Sequence, residues 1–179
     1  MKKLSLYQMV KIALLAAVLC ILGPISFPLA ISPVPISLGI LGIALAIVIL
    51  PTTESVISIL IYILLGLVGL PVFSKYTGGF GVLAGPTGGY IIGYIPLALI
   101  AGIIIKKTNR NIVFMCLGML LGLAVCYAFG TAWLAVAASM TFGEALAAGV
   151  IPFIPVDLIK FAIAIIVGLP VHKAIQKFS

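Results

Sequence analysis

Two charged side chains stand three residues apart inside an apolar stretch: Asp157 and Lys160, in Pro152-Phe153-Ile154-Pro155-Val156-Asp157-Leu158-Ile159-Lys160. On a helix, positions i and i+3 share a face. A charge at mid-membrane costs about 2.5–3.5 kcal/mol on insertion scales. Both side chains must therefore turn inward to a partner. They can neutralise each other as a structural ion pair, or they can line a cavity and bind a polar ligand. An acceptor beside a donor suits a ligand carrying both N–H donors and an acceptor or anionic group.

A second group is Gly85-Pro86-Thr87-Gly88-Gly89-Tyr90, where an apolar run begins. Free N–H groups at a helix start attract anions or carbonyl oxygens, and glycine lets a ligand come close. The same residues also suit a tight turn and close helix packing. Gly89 and Gly93 form a GxxxG pair, as do Gly118 and Gly122. No GKS or GKT follows, so this is not a phosphate loop. Tyr76, Phe80, Tyr90 and Trp133 either belong to an interfacial aromatic belt or wall a pocket for a flat heterocycle.

Nothing else points to catalysis. One His and three acids make no metal cluster, and no Ser–His–Asp set falls on one side. His172 sits at a helix end beside Lys173, where it complements the helix dipole. Glu54 and Glu144 are explained by capping and solvent exposure. Cys20, Cys116 and Cys126 lie in apolar runs, odd in number and without metal or redox spacing, and are expected to be buried free thiols. No inverted repeat and no array of intramembrane carboxylates is apparent. The expectation is a binding protein, not an enzyme, without cofactor or metal.

The elements that position these residues follow from composition. Of 179 residues, 64% are hydrophobic and 7% charged, against about 25% charged in soluble domains. That excludes an ordinary cytosolic domain and a disordered chain. Lipid is the solvent. The net charge of +7 does not indicate nucleic acid, because the basic residues sit in short end groups and not on one face.

Six spans are expected, at 6–22, 36–50, 55–70, 87–105, 112–139 and 152–175, in one domain covering 1–179. The first is kept as a span and not a signal peptide, because residues 1–23 run into Pro-rich sequence without a cleavage site. Four prolines between Pro24 and Pro35 forbid a helix there. Thr52 or Thr53 is expected to cap the third span. Residues 71–90 hold a structured Gly-rich loop. With six spans, Lys2, Lys3, Lys11, Lys106, Lys107, Arg110, Lys173 and Lys177 share one side. The positive-inside rule makes it the cytoplasm, with both termini inside. The Pro-rich, Gly-rich and Glu144 loops then share the outer face, with Lys75.

These motifs carry a resemblance. Gly-Leu-Pro-Val-Phe-x₄-Gly-Gly (Gly69 to Gly79), Gly-Pro-Thr-Gly-Gly-Tyr (Gly85 to Tyr90) and Pro-Phe-Ile-Pro-Val-Asp-Leu-Ile-Lys (Pro152 to Lys160) resemble the BioY family. Its members are biotin-specific S components of energy-coupling factor transporters. The resemblance covers nearly the whole chain. It implies biotin capture from outside, with a membrane coupling protein and two cytoplasmic ATPases supplying energy. It implies a site built from Asp157, Lys160 and the loop residues Thr87, Gly88, Gly89 and Tyr90; Trp133, Gly79, Phe80 and Ser37 are expected to complete it. It also implies that Ala13 and Ala17 dock the coupling protein, a pair that internal helix packing would explain equally. The chain departs from the pattern in one place. The family often has Val-Pro-x-Thr-Leu-Gln, and here stands Val34-Pro35-Ile36-Ser37-Leu38-Gly39. The Gln is absent, and Ser37 keeps the hydroxyl. Three alternatives stay open: a stand-alone vitamin transporter, single or homo-oligomeric; an S component for another vitamin; and a structural subunit without a ligand.

Overall fold

A computed structural model describes residues 4–30 and 32–177, so Lys2, Lys3 and Ile31 lie outside it. The described chain is mostly helical. Helix α1 spans Leu6–Leu22 and starts with a capping box, in which Ser5 and Gln8 exchange side-chain-to-backbone hydrogen bonds. Its buried stripe is Ile12, Leu15, Ala16 and Leu19, while Ala13 and Ala17 lie on the exposed face.

The Pro-rich segment forms an antiparallel hairpin, β1 (Ser26–Leu29) and β2 (Ser32–Ser37). The second span therefore starts later than its hydropathy indicated. Ile36 and Ser37 are extended, because they pair with Phe27 and Ser26 at the end of the hairpin, and α2 covers only Gly39–Ile49. It is buried on nearly every side. Gly42 lets Leu19 of α1 approach, and Gly168 of the last helix lets Val48 approach.

Helix α3 is Thr52–Leu67. Neither Thr52 nor Thr53 caps it. Pro51 takes the N-cap position and pre-sets the turn, so no side chain bonds the first N–H groups. Glu54 is not solvent-exposed as expected. It is buried, with Lys11 Nζ 3.0 Å from Oε2 and Gln8 Nε2 3.1 Å from Oε1. An apolar surround leaves both charges little water, so they pair across α1 and α3.

After a 3₁₀ turn at Ser74–Tyr76, α4 is a short helix, Phe80–Ala84. Then come α5 (Gly88–Lys107) and α6 (Ile112–Ala137). The GxxxG glycines of both helices lie at their mutual contact, each facing a larger residue of the other helix. Gly89 faces Trp133 Cβ and the Phe129 carbonyl, Gly93 faces Cys126, Gly118 faces Ile104 and Ala101, and Gly122 faces Leu97. The Glu144 loop contains a further helix, α7 (Phe142–Gly149), opened by a Thr141/Glu144 capping box. Hydrogen bonds from the Thr141 N–H and hydroxyl hold the Glu144 carboxyl below its usual pKa. Helix α8 is Ile154–Gln176.

Among the described residues, three helices, α5, α6 and α8, are long and apolar enough to cross a membrane. Rows of large apolar side chains on α6 and α8 point outward, among them Phe114, Leu121, Phe129, Ile159 and Ile166. Cys126 is buried, but Cys116 stands on this outer face and Cys20 is half-buried. Not all three thiols are interior, because a spanning helix hides a thiol as well against lipid as in a core.

His172 is buried with Nδ1 2.6 Å from the Ile49 carbonyl. Arg110 donates to the Val48 and Leu50 carbonyls. His172 therefore serves the C-terminal end of α2 and not that of its own helix. A short helix ending inside the protein leaves carbonyls that only side chains can satisfy.

Candidate functional site

Under the hairpin lies a cavity of about 270 Å³, just below the ~300–1,000 Å³ typical of small-molecule sites. Each wall comes from a different element. The β2 strand supplies Pro33, Val34, Pro35 and Ser37. The Gly-rich segment supplies Phe73, Lys75, Gly85, Pro86 and Thr87. Tyr62, Tyr90, Tyr94 and Tyr127 supply aromatic lining, and Asp157 and Lys160 supply an ion pair.

Asp157 and Lys160 are 2% and 4% exposed. Lys160 Nζ donates to Asp157 Oδ1 at 2.8 Å and to the Ser37 carbonyl at 2.7 Å. Tyr127 Oη donates to Asp157 Oδ2 at 2.7 Å. An ammonium has three protons and a carboxylate about four lone-pair sites. One Lys160 proton and at least one Asp157 lone pair therefore remain for a ligand. The pair is at once a structural ion pair and part of a cavity wall, so the two arrangements open in the sequence coexist. Ser37 takes part through its backbone. Its hydroxyl donates to the Gly23 carbonyl and accepts the Gly39 N–H, fixing the strand-to-helix corner that aims the carbonyl at Lys160.

Of the residues expected at the site, Asp157, Lys160, Thr87, Tyr90 and Ser37 line the cavity. Gly88, Gly89, Trp133, Gly79 and Phe80 stand behind or beside it. A Cβ on Gly88 would overlap the Leu83 backbone, which shows how tightly the segment folds on itself. Gly79 has φ +93°, a region that glycine favours, and its N–H reaches the Gly66 carbonyl at 2.7 Å. Phe80 is exposed. Trp133 Nε1 donates to the Gly85 carbonyl at 2.9 Å, tethering the cavity's Gly85–Thr87 wall to α6. Trp133→Phe removes about 0.5–1.5 kcal/mol of hydrogen bonding. It is expected to weaken ligand affinity by up to about tenfold through faster dissociation, read by calorimetry and by release of labelled ligand.

Sequence reasoning missed Tyr62, Tyr94, Tyr127, Phe73 and Lys75. The tyrosines sit inside apolar runs, where an aromatic gives no signal of direction. Lys75 did carry one: it is the lone cation of the Gly-rich segment. It is exposed at the cavity lining, with its backbone in the left-handed region and its N–H on Ser26 Oγ.

The sequence profile of the BioY family matches residues 1–177. The chain belongs to the BioY family. Biotin transporter BioY2 of Lactococcus lactis subsp. cremoris is 34% identical over 98% of this chain and 96% of its own length. Biotin transporter BioY of Thermotoga maritima is 33% identical over 93% and 96%. The fold is shared with a crystal structure of the S-component for biotin from an ECF-type ABC transporter. The TM-score is 0.86 at 28% identity, over 96% of this chain and 95% of that one. The family is one of membrane transporters and not of enzymes.

Proposed function

We propose that this chain captures biotin at the outer face of a bacterial plasma membrane as the S component of an energy-coupling factor transporter. The observation that carries the reading is the buried Asp157–Lys160–Tyr127 group lining a cavity rich in tyrosines. Biotin has a flat, polar ureido edge and a valerate tail ending in a carboxylate. The ureido N–H groups suit Asp157 and its carbonyl suits the free Lys160 proton. The valerate runs along the tyrosines toward Lys75, the remaining charged residue of the lining. An S component binds but does not drive, so a membrane coupling protein and two cytoplasmic ATPases supply the energy. The exposed Ala13/Ala17 face offers the coupling protein a close approach.

The reading takes residues 1–179 as one domain crossing the membrane six times, with termini inside. The end bearing Lys106, Lys107, Arg110, Lys173 and Lys177 faces the cytoplasm. Helix α2, about 16 Å long at 1.5 Å per residue, falls short of the ~30 Å apolar layer. The hairpin fills the remaining depth. Non-helical backbone is tolerated there when it is buried in protein or lines a cavity.

The test is calorimetric titration of biotin into the purified chain, with Trp133 fluorescence as a second signal. One-to-one binding is expected. Desthiobiotin, which keeps the ureido edge, should compete, and lipoate, which shares only the tail, should not. Lys75→Gln should weaken biotin but not biotin methyl ester. No heat and no ligand-dependent stabilisation in folded protein would refute the capture reading. Uptake by the chain alone, in cells lacking coupling proteins, would instead favour a stand-alone transporter.

A further inference from the structure

Four tyrosines line the ligand cavity, and their hydroxyls are used differently. Tyr90 Oη donates to the Gly149 carbonyl at 3.0 Å, and Tyr127 Oη to Asp157 Oδ2 at 2.7 Å. Tyr62 and Tyr94 are 3% and 8% exposed, yet neither hydroxyl has a hydrogen-bond partner among the described residues. Buried phenols usually find a partner. For these two it must come from the cavity they line.

Their surroundings separate them. Tyr62 Oη lies against the backbone of Gly23, beside the Val72 carbonyl. Tyr94 Oη lies at the corner where β2 passes into α2. A Cβ on Gly39 would stand 3.7 Å from it and 3.2 Å from Ser37 Oγ. The same corner holds Lys160, whose Nζ donates to the Ser37 carbonyl at 2.7 Å. Asp157 is close enough for its charge to act on the Tyr94 hydroxyl. The position of Tyr94 is fixed by its helix: it follows Gly93, which packs against Cys126 of α6, and it shares a face with Tyr90, four residues earlier.

A urea oxygen has two lone pairs. Lys160 has one proton left after Asp157 and Ser37, and that proton fills one of them. The second calls for another donor from the same corner, and an unspent hydroxyl stands there. We infer that Tyr94 is a specificity-determining residue whose hydroxyl donates to the ureido oxygen beside Lys160. The inference rests on the proposed capture of biotin and adds to it a residue that reads the oxygen itself. Asp157 selects for the N–H donors of the ligand, while Lys160 and Tyr94 together select for the acceptor between them. A ligand with a poor acceptor there leaves a buried phenol unsatisfied, which is how a polar site rejects a near-isostere.

The experiment compares the full-length chain with its Tyr94→Phe variant, by calorimetry and by competition against labelled biotin. Three ligands are used. Desthiobiotin keeps the ureido oxygen and lacks the ring sulfur. In 2-thiobiotin, sulfur, a weaker acceptor, replaces that oxygen. Biotin is the reference. The variant should lose about two- to twelvefold in affinity for biotin and desthiobiotin alike, and less than about twofold for 2-thiobiotin, so the preference for oxygen over sulfur shrinks. Phe keeps the ring, and the hydroxyl has no protein partner to lose, so the variant should fold and melt as the wild type does without ligand. A loss equal for all three ligands, with or without a lower melting temperature, would overturn the inference, since Tyr94 would then only shape the cavity. A loss for biotin that spares desthiobiotin would overturn it in favour of a contact with the ring sulfur. Unchanged affinity for all three would overturn it outright. Each of these outcomes leaves biotin capture standing, whereas a wild-type chain that binds no biotin would overturn the capture reading and this inference with it.

Discussion

Asp157→Asn is expected to weaken biotin binding by about 10- to 150-fold, since a hydrogen bond to a charged group is worth roughly 1.5–3 kcal/mol and a tenfold change in affinity about 1.4 kcal/mol. The substitution keeps the side-chain shape. It exchanges an acceptor for a donor at one position, so one ureido N–H meets another donor. The Tyr127 hydroxyl can still donate to the amide oxygen, and Lys160 keeps the Ser37 carbonyl. The remaining concern is Lys160 itself, left charged and buried with half its partners. Removing one member of a buried pair commonly costs about 3–5 kcal/mol. The double variant Asp157→Asn with Lys160→Met strands neither charge. It should melt near the wild-type temperature and still fail to bind. Calorimetry on the folded double variant decides the matter: wild-type affinity there would sink the assignment of this pair to the ligand.

Gly89→Val tests a different layer. A Cβ at this position would meet the Trp133 side chain and, at 2.8 Å, the Phe129 carbonyl. The carbonyl is backbone inside α6, so it cannot rotate away and the two helices must part. Overpacking of this kind costs about 1–3 kcal/mol, or about 2–10 °C in melting temperature for a chain of this size. The effect should also reach the ligand. Trp133 holds the Gly85 carbonyl, and Gly85 lines the cavity. The variant should therefore shift the Trp133 emission and weaken biotin binding together. A normal melting temperature with weak binding would mean that Gly89 acts on the ligand directly.

The sequence was legible where physics is one-dimensional. Charges inside apolar runs are costly wherever the chain folds, so Asp157 and Lys160 stood out. Prolines forbid a helix without reference to anything distant, so residues 24–35 read correctly as non-helical, and α1 begins and ends where expected. What stayed hidden depends on pairing across the fold. Lys11 looked like a topological charge and Glu54 like a cap, but they meet between α1 and α3. His172 looked like a dipole partner of its own helix, and it serves α2 instead. Tyr62, Tyr94 and Tyr127 come from α3, α5 and α6, and only packing brings their rings to one cavity. Gly88 and Gly89 matched a binding motif because the turn that shapes a pocket and the turn that contacts a ligand call for the same small residue.

Helix α2 carries a consequence for how the protein is made. Its partners are synthesised long after it: Arg110 for Val48 and Leu50, Lys160 for Ser37, His172 for Ile49. An eleven-residue apolar segment that emerges from the ribosome early has no complete set of neighbours until α8 leaves the exit tunnel. The first half of the chain must therefore wait in the membrane with its second helix unsettled. The ligand cavity is lined by residues of both α8 and the strand before α2, so it cannot close before α8 has emerged. A nascent fragment that stops short of α8 lacks Asp157 and Lys160 and with them the buried ion pair of the cavity lining.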